Sequence, residues 1–264
     1  MATKATLEAL LRDRKLDRTL TTTPEGEAQA RAPLDIGAVD ARLLGGIPRG
    51  RLSEVVGPAS SGRTSLAWAW LGAATRRGEW AALIDTFDRF DPASAADCGL
   101  RLDRLLWVRG QAISKTAGAI DPGWRPGMRT ASGPGTLVER ALDRALKALN
   151  LVVQSGVCTA VVLDLADAPA AGLARIPAST WLRLQRVIDG TETTCLLIGP
   201  GPIARSAGGV TLTLTRDATL TARWAGTHDR ARRLAGLSVH AEVVSPRRAM
   251  SGEAVAEMAL NPAI

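Results

Sequence analysis

The stretch "VVGPASSGRTSLAWAWL", residues 55–71, decides how the chain is read. Two valines close the apolar run "LSEVV", a glycine-bounded turn follows, and "TSLAWAWLGAATRR" then has helical composition. Gly57, Gly62 and Thr64 satisfy the pattern G-x-x-x-x-G-K-[ST] in all but its lysine, whose place is taken by Arg63. In that pattern the backbone N–H groups of the turn wrap phosphate oxygens, and the following helix adds its positive N-terminal end. An apolar strand before the turn and a helix after it are the context the motif requires. The competing reading is a bare glycine-rich strand-to-helix turn. Gly57, Ser60, Ser61, Gly62, Arg63, Thr64 and Ser65 are the expected nucleotide-binding residues. Arg63 keeps the positive charge, but its planar fork is longer and differently shaped than a lysine ammonium, so binding is expected to survive better than catalysis.

Outward from this loop, strands and helices alternate. "RLSEVVG", "WAALIDT" and "RLLWV" read as strands, with helices over 63–77 and from Ala93 between them. Then come the helix "TLVERALDRALKALNLVV", the strand "TAVVLDL", the helix "STWLRLQRVIDG" and the strand "TTCLLIG". That order predicts an α/β fold, a mostly parallel twisted sheet with helices on both faces. The alternating runs "GVTLTLT", "LTARW" and "LSVHAEVV" add antiparallel edge strands toward the C-terminus. Residues 1–20 suit a short amphipathic helix and docking element, 21–33 a linker, 34–248 the core and 249–264 a tail. Within the core, residues 110–135 are rich in Gly, Pro and Ser without any period, and read as a long mobile loop.

Lysine plus arginine number 33 against 26 aspartate plus glutamate, a formal charge of +7 that suits an acidic partner or a solvated basic surface. Clusters appear only near the C-terminus, at Arg230, Arg232, Arg233, Arg247 and Arg248, which could touch phosphates weakly and without sequence preference. The three cysteines have no spacing suited to a disulfide framework or a zinc site, and no run approaches the ~20 apolar residues that span a bilayer. A soluble protein of the reducing cytoplasm, with no membrane partner, is expected.

A phosphate loop needs an acid at a neighbouring strand end to hold magnesium or its waters together with the loop hydroxyl. Asp164 in "TAVVLDL" has that place, so Thr64 and Asp164 form the expected metal pair. Hydrolysis further needs a group to activate water. "WAALIDTFDRFDP" offers Asp85, Asp88 and Asp91. Strand alternation turns Asp85 away, and Asp88, past the strand end, is a weak catalytic candidate. His228 and His240 lack partners at ligand spacing, and Trp68, Trp70, Trp80, Trp107 and Trp181 read as core or interface residues. Trp124, in the loop, reads as an anchor for a partner protein or a plain surface residue.

The run "GGIPRGRLSEVVGPASSGRTSLAWAWLGAATRRGEWAALIDTFDRFDPASAADCGLRLDRLLWV" resembles the core of RecA recombinase. The later "ERALDRALKALNLVVQSGVCTAVVLDLADAPAAGLARIPASTWLRLQRVIDGTETTCLLIG" looks more like ImuA, a RecA-related group of bacterial proteins in damage-induced mutagenesis. The resemblance implies a RecA-like core with ATP and magnesium as cofactors, Gly57 to Ser65 as phosphate loop, Asp164 as the magnesium-side acid and Asp91 as an adenine contact. It also exposes departures. The water-activating glutamate of RecA falls on Phe87, and Asp88 would replace it only if the strand slipped by one residue. The adenine-stacking tyrosine falls on Ser94, and the glutamine that senses the γ-phosphate falls near Pro200. The segments matching the DNA-binding loops, "ADAPAAGLARIP" and "GPGPIARSAGG", are short and lack aromatics. The function implied is an adapter in bacterial DNA-damage tolerance and translesion synthesis, with a degenerate nucleotide site. Its implied partners are an ImuB-like relative of the Y-family polymerases, an error-prone DnaE-type polymerase and RecA itself. An active DNA-dependent ATPase and a nucleotide-gated switch are the alternatives.

Overall fold

The computed structural model describes residues 30–112, 126, 136–204, 209–215, 221–225, 233–244 and 252–259. The chain enters through β1 (Arg31–Ala32), α1 (Gly37–Arg42) and β2 (Ile47–Pro48), the two short strands pairing antiparallel. Then follow β3 (Leu52–Val56), α2 (Arg63–Arg76), β4 (Ala81–Asp85), α3 (Pro92–Asp97) and β5 (Leu105–Arg109). The second half comprises α4 (Leu137–Ser155), β6 (Ala160–Asp164), α5 (Ala170–Leu173), α6 (Ala178–Ile188) and β7 (Thr194–Gly199). It ends with β8 (Thr211–Thr215), β9 (Thr221–Ala225), β10 (Arg233–Val244) and β11 (Gly252–Ala259).

The main sheet runs β11-β10-β8-β3-β7-β6-β4-β5, with β9 also paired to β10. From β8 to β5 every pairing is parallel, and β10 is antiparallel to β8, β9 and β11. This is the expected α/β architecture with its antiparallel edge. Central strands are buried on both faces, as a parallel sheet between helical layers must be. Val55, Leu83, Val162, Leu196 and Ile198 pack with Val39, Leu66 and Trp70 on the side of α1 to α3. The alternate positions Leu52, Ala82, Ile84, Val161, Leu163 and Leu197 pack with Leu142, Leu149, Trp181 and Leu184 on the side of α4 to α6.

Local chemistry sets the element ends. α4 begins with a capping box, where the Thr136 N–H donates to Glu139 Oε2 (2.8 Å) and the Glu139 N–H to Thr136 Oγ1 (3.3 Å). It stops at Gly156, whose φ of +65° favours glycine. Before β4, Glu79 accepts from Arg49 (2.9 and 3.1 Å) and from Thr159 Oγ1 (2.7 Å), joining the N-terminal ends of β3, β4 and β6. Burial pushes the Glu79 carboxyl up, but Arg49, Thr159 and Arg77 outweigh it and hold it below the usual glutamate range.

The ordered core is longer at both ends than the boundaries 34–248. Arg31 and Ala32, assigned to the linker, pair with β2, and Ala32 is buried. Residues 249–264, read as a tail, contain β11, which pairs with β10 from Gly252 to Ala259 and sets Ala254 against the core. Its alanines and glutamates are weak strand formers, so pairing with β10 overrides a propensity that gives no strand signal. The proposed N-terminal helix, the linker up to residue 29 and residues 113–125 and 127–135 of the loop lie outside the described residues. Among the described residues no helix is long and apolar enough to cross a membrane. If β11 belongs to the core, deleting residues 251–264 should lower the melting temperature by roughly 5 °C or more in a thermal melt followed by circular dichroism. A detachable tail would leave the melt unchanged.

Candidate nucleotide-binding site

β3, β4, β6 and β7 all end on one side of the sheet, where ligands of doubly wound folds bind. Between β3 and α2 the loop turns through positive φ at Ser60 (+62°) and Gly62 (+88°). No side chain caps the first turn of α2, which leaves its N–H donors available to an anion. A Cβ on Gly57 would lie 2.5 Å from the Leu214 carbonyl oxygen and 2.6 Å from Ser61 Oγ, so only glycine fits. The Ser61 hydroxyl is buried without a hydrogen-bond partner among the described residues. In front of the loop lies a cavity of about 330 Å³ lined by Ser60, Gly62, Arg63, Thr64 and Ser65, with Asp85, Phe87 and Asp164 opposite.

Arg63 is 7% exposed, and its guanidinium turns back into the loop. It donates to the carbonyl of Gly57, to that of Ala166 (2.8 Å) and to that of Gly199 (3.4 Å). One cation thereby joins the residues that end or follow β3, β6 and β7. Burial lowers the Arg63 pKa from the usual guanidinium value, and Asp164 and Asp167 oppose the shift.

Asp164 is paired in register with Asp85 across β6 and β4. Its Oδ1 accepts the Ala166 N–H (2.8 Å). Burial, with Asp85 and Asp167 adding to it, pushes the Asp164 carboxyl up to about 6 against the Ala166 N–H and Arg63. Thr64 and Asp164, the expected metal pair, line one cavity and bring to it a hydroxyl and a carboxylate, donor types that suit a hydrated magnesium ion, while Asp85 lies beside Asp164 with both its oxygens engaged by N–H donors. The loop backbone and these oxygens fit a magnesium nucleotide. Arg63 does not fit the lysine's role, because its fork is committed to backbone carbonyls.

The RecA N-terminal domain family matches residues 24–117. The protein RecA of Chloroflexus aurantiacus is 44% identical over 87 residues, 31% of this chain and 25% of that relative. That of Heliobacterium modesticaldum is 29% identical over 193 residues, 66% of this chain and 47% of the relative. For Lactobacillus delbrueckii subsp. bulgaricus the figures are 37% over 117 residues, 40% and 33%. With the sheet described above, these matches support one assignment. The fold is that of a RecA-like core. The matches span a quarter to about half the length of these curated relatives.

Within this RecA-like core the structure sorts the acids of "IDTFDRFDP". Asp85 does not turn away. It lines the cavity, where its carboxylate accepts the N–H groups of Arg89 (2.8 Å) and Phe90 (2.9 Å) and the Trp107 Nε1–H (3.2 Å). Phe87, two residues on, shares that wall and is buried in the core. Asp88, the weak catalytic candidate, is not among the cavity-lining residues. At φ +57° it forms a bidentate pair with Arg109 (2.7 and 3.0 Å), and the hydrogen bonds from Arg109 hold its carboxyl below the usual range. Directed to Arg109 and depressed in basicity, it is no base for a water in the cavity. Asp91 instead caps α3, accepting from the Ala93 and Ser94 N–H groups and from Ser94 Oγ, and does not line the cavity.

Four lining residues were not assigned to the site from the sequence: Trp68, Arg89, Ala166 and Asp167. Arg89 Nε and Asp167 Oδ2 are 3.1 Å apart, an ion pair at the cavity. The signal was present, since Arg89 and Asp167 follow Phe87 and Asp164 by two and three residues at the same strand ends. Of the arginines expected to touch DNA, Arg230, Arg232, Arg247 and Arg248 lie outside the described residues, and Arg233 is described only as the first residue of β10.

Asp164 yields a pH signature. A carboxyl raised in the folded state contributes stability below its unfolded pKa of about 4, and that contribution is lost as pH rises through the folded value. Asp164→Asn should flatten denaturant stability between pH 4 and 7 and gain on the wild type by about 1–2 kcal/mol at pH 7. A variant that loses stability at pH 7 would show that the charge is compensated.

Proposed function

We propose that the protein is an adapter of bacterial DNA-damage tolerance, built on a RecA-like core whose nucleotide site holds a magnesium nucleotide without turning it over efficiently. The observation that carries this reading is the pairing of Arg63 with Phe87. The loop cation is bound to the carbonyls of Gly57, Ala166 and Gly199, and the wall that would activate water presents a phenyl ring. A phosphoryl-transfer site depends on charge placed at the terminal phosphate and on a positioned water. Here Asp85 is engaged by two backbone N–H groups and an indole, and Asp88 by Arg109. What remains is recognition chemistry: a backbone cradle, a hydroxyl and carboxylates for magnesium.

The partners proposed are those implied by the ImuA-like half of the sequence: an ImuB-like relative of the Y-family polymerases, a DnaE-type polymerase and RecA. Direct DNA contact is assigned a minor role, since the segment between β6 and α6 is short, lacks aromatics and folds in part into the four-residue helix α5. A second reading, an active DNA-dependent ATPase of the RecA type, draws on one observation, the convergence of Thr64, Asp85 and Asp164 on one cavity.

Steady-state phosphate release with single-stranded DNA separates the two. The adapter reading expects release no faster than that of Asp164→Ala, whereas DNA-stimulated turnover lost in Asp164→Ala establishes the ATPase. Pull-downs from damaged cells should enrich a polymerase subunit or RecA, and failure to enrich any of them removes the adapter role.

A further inference from the structure

With Arg63 folded onto backbone carbonyls, the cavity needs another source of positive charge to recognise a polyanion. Among the described residues that line it, the cations are Arg63 and Arg89, facing Asp85, Asp164 and Asp167. We propose that Arg89 is the residue with which this site recognises the terminal phosphate of a nucleoside triphosphate, exchanging its pairing with Asp167 for a phosphate oxygen. The proposal rests on the nucleotide-binding half of the reading above and adds the group that distinguishes triphosphate from diphosphate.

The geometry separates a fixed base from a movable tip. The Arg89 N–H donates to Asp85 Oδ1 (2.8 Å), which anchors the backbone at the end of β4. On one side Asp88 is held by Arg109. On the other, Phe90 is wedged between Trp68 and Trp107, at ring-centroid distances of 5.7 and 5.2 Å. The guanidinium is placed differently: the side chain is 42% exposed and its Nε lies 3.1 Å from Asp167 Oδ2. The pair is open to solvent on the Arg89 side and a quarter exposed on the Asp167 side, and an ion pair in reach of water contributes less than a buried one, so a phosphate can compete for the guanidinium. A phosphate oxygen offers more, because an arginine fork matches phosphate bidentately and the bond is charge-assisted at both ends. Arg63 is the opposite case, 7% exposed and held by three carbonyls.

The probes are N-methylanthraniloyl-ATP and N-methylanthraniloyl-ADP with magnesium, titrated by fluorescence, with inorganic tripolyphosphate as competitor. The wild type is expected to prefer the triphosphate by about tenfold, the size of one charge-assisted contact. Arg89→Ala should bring triphosphate affinity down to the diphosphate level and leave diphosphate affinity unchanged, and Arg89→Lys should recover part of the preference. Asp167→Ala, which removes the competing acceptor, should tighten triphosphate binding only while Arg89 is present; the double variant should match Arg89→Ala. A thermal melt of each variant confirms folding. Equal wild-type affinities, or a preference retained in Arg89→Ala, overturn the proposal while nucleotide binding stands. No wild-type binding of either probe overturns both the proposal and the nucleotide half of the reading, while the polymerase pull-down judges the adapter role separately.

Discussion

The hydrogen bonds of the Arg63 guanidinium organise the active end of the sheet. Where parallel strands end, their last carbonyls have no ladder partner and need a donor. Gly57 and Ala166 present such carbonyls around one point, Gly199 adds one that already accepts the Gly57 N–H (3.2 Å), and the arginine fork meets all three from the first turn of α2. Removing it would take from the Gly57 and Ala166 carbonyls the donor they have here, at roughly 1–3 kcal/mol each. A lysine ammonium is compact and could not span the same three acceptors with a planar fork. The replacement of lysine by arginine is therefore a change of role, from a group that reaches a ligand to one that ties strand ends together. At the other end of the sheet Glu79 does the converse, an anion gathering Arg49, Arg77 and Thr159.

That clamp also sets the electrostatics of the cavity. Asp164 and Asp85 sit side by side in register, and Arg63 is near enough to oppose the rise of the Asp164 pKa without cancelling it. A divalent cation beside Asp164 would oppose the burial and the repulsion from Asp85 and Asp167 that raise its carboxyl. On the wall opposite the loop Phe87 is core, and the turn after β4 uses Asp85 to satisfy its own N–H groups.

Much of this fold was legible in the sequence because its signals are periodic and local. Apolar strands, the capping box of α4 and the glycine-bounded loop all place elements where the structure has them. What escaped depends on distant partners. β11 is a strand by virtue of β10, and the direction of Arg63 is decided by carbonyls 103 and 136 residues away. Asp85 follows the alternation of its strand, on the face of Ala81, Leu83 and α2, and the period alone does not say which face carries the loop. Asp88 and Arg109 lie 21 residues apart and meet only because β4 and β5 pair in parallel, so a strand-end acid that looked catalytic is spent on a neighbour.

The glycines that make the loop recognisable bear less on ligand binding than their place in the motif suggests. Gly57 is required by the approach of β8, since a Cβ there would meet the Leu214 carbonyl, and Gly62 by the left-handed entry into α2. Both would be needed in a loop that never met a phosphate. The groups that the fold does not explain are more telling. The Ser61 hydroxyl is buried without a partner among the described residues, a cost of about 1–3 kcal/mol that a purely structural loop would shed by carrying alanine. Arg89 stands on a turn braced at three points, while its charged end rests on an exposed pair at the cavity. A cation mounted so firmly beside a cavity lined by loop donors and carboxylates is the physical ground on which a ligand-binding role for the pocket is proposed.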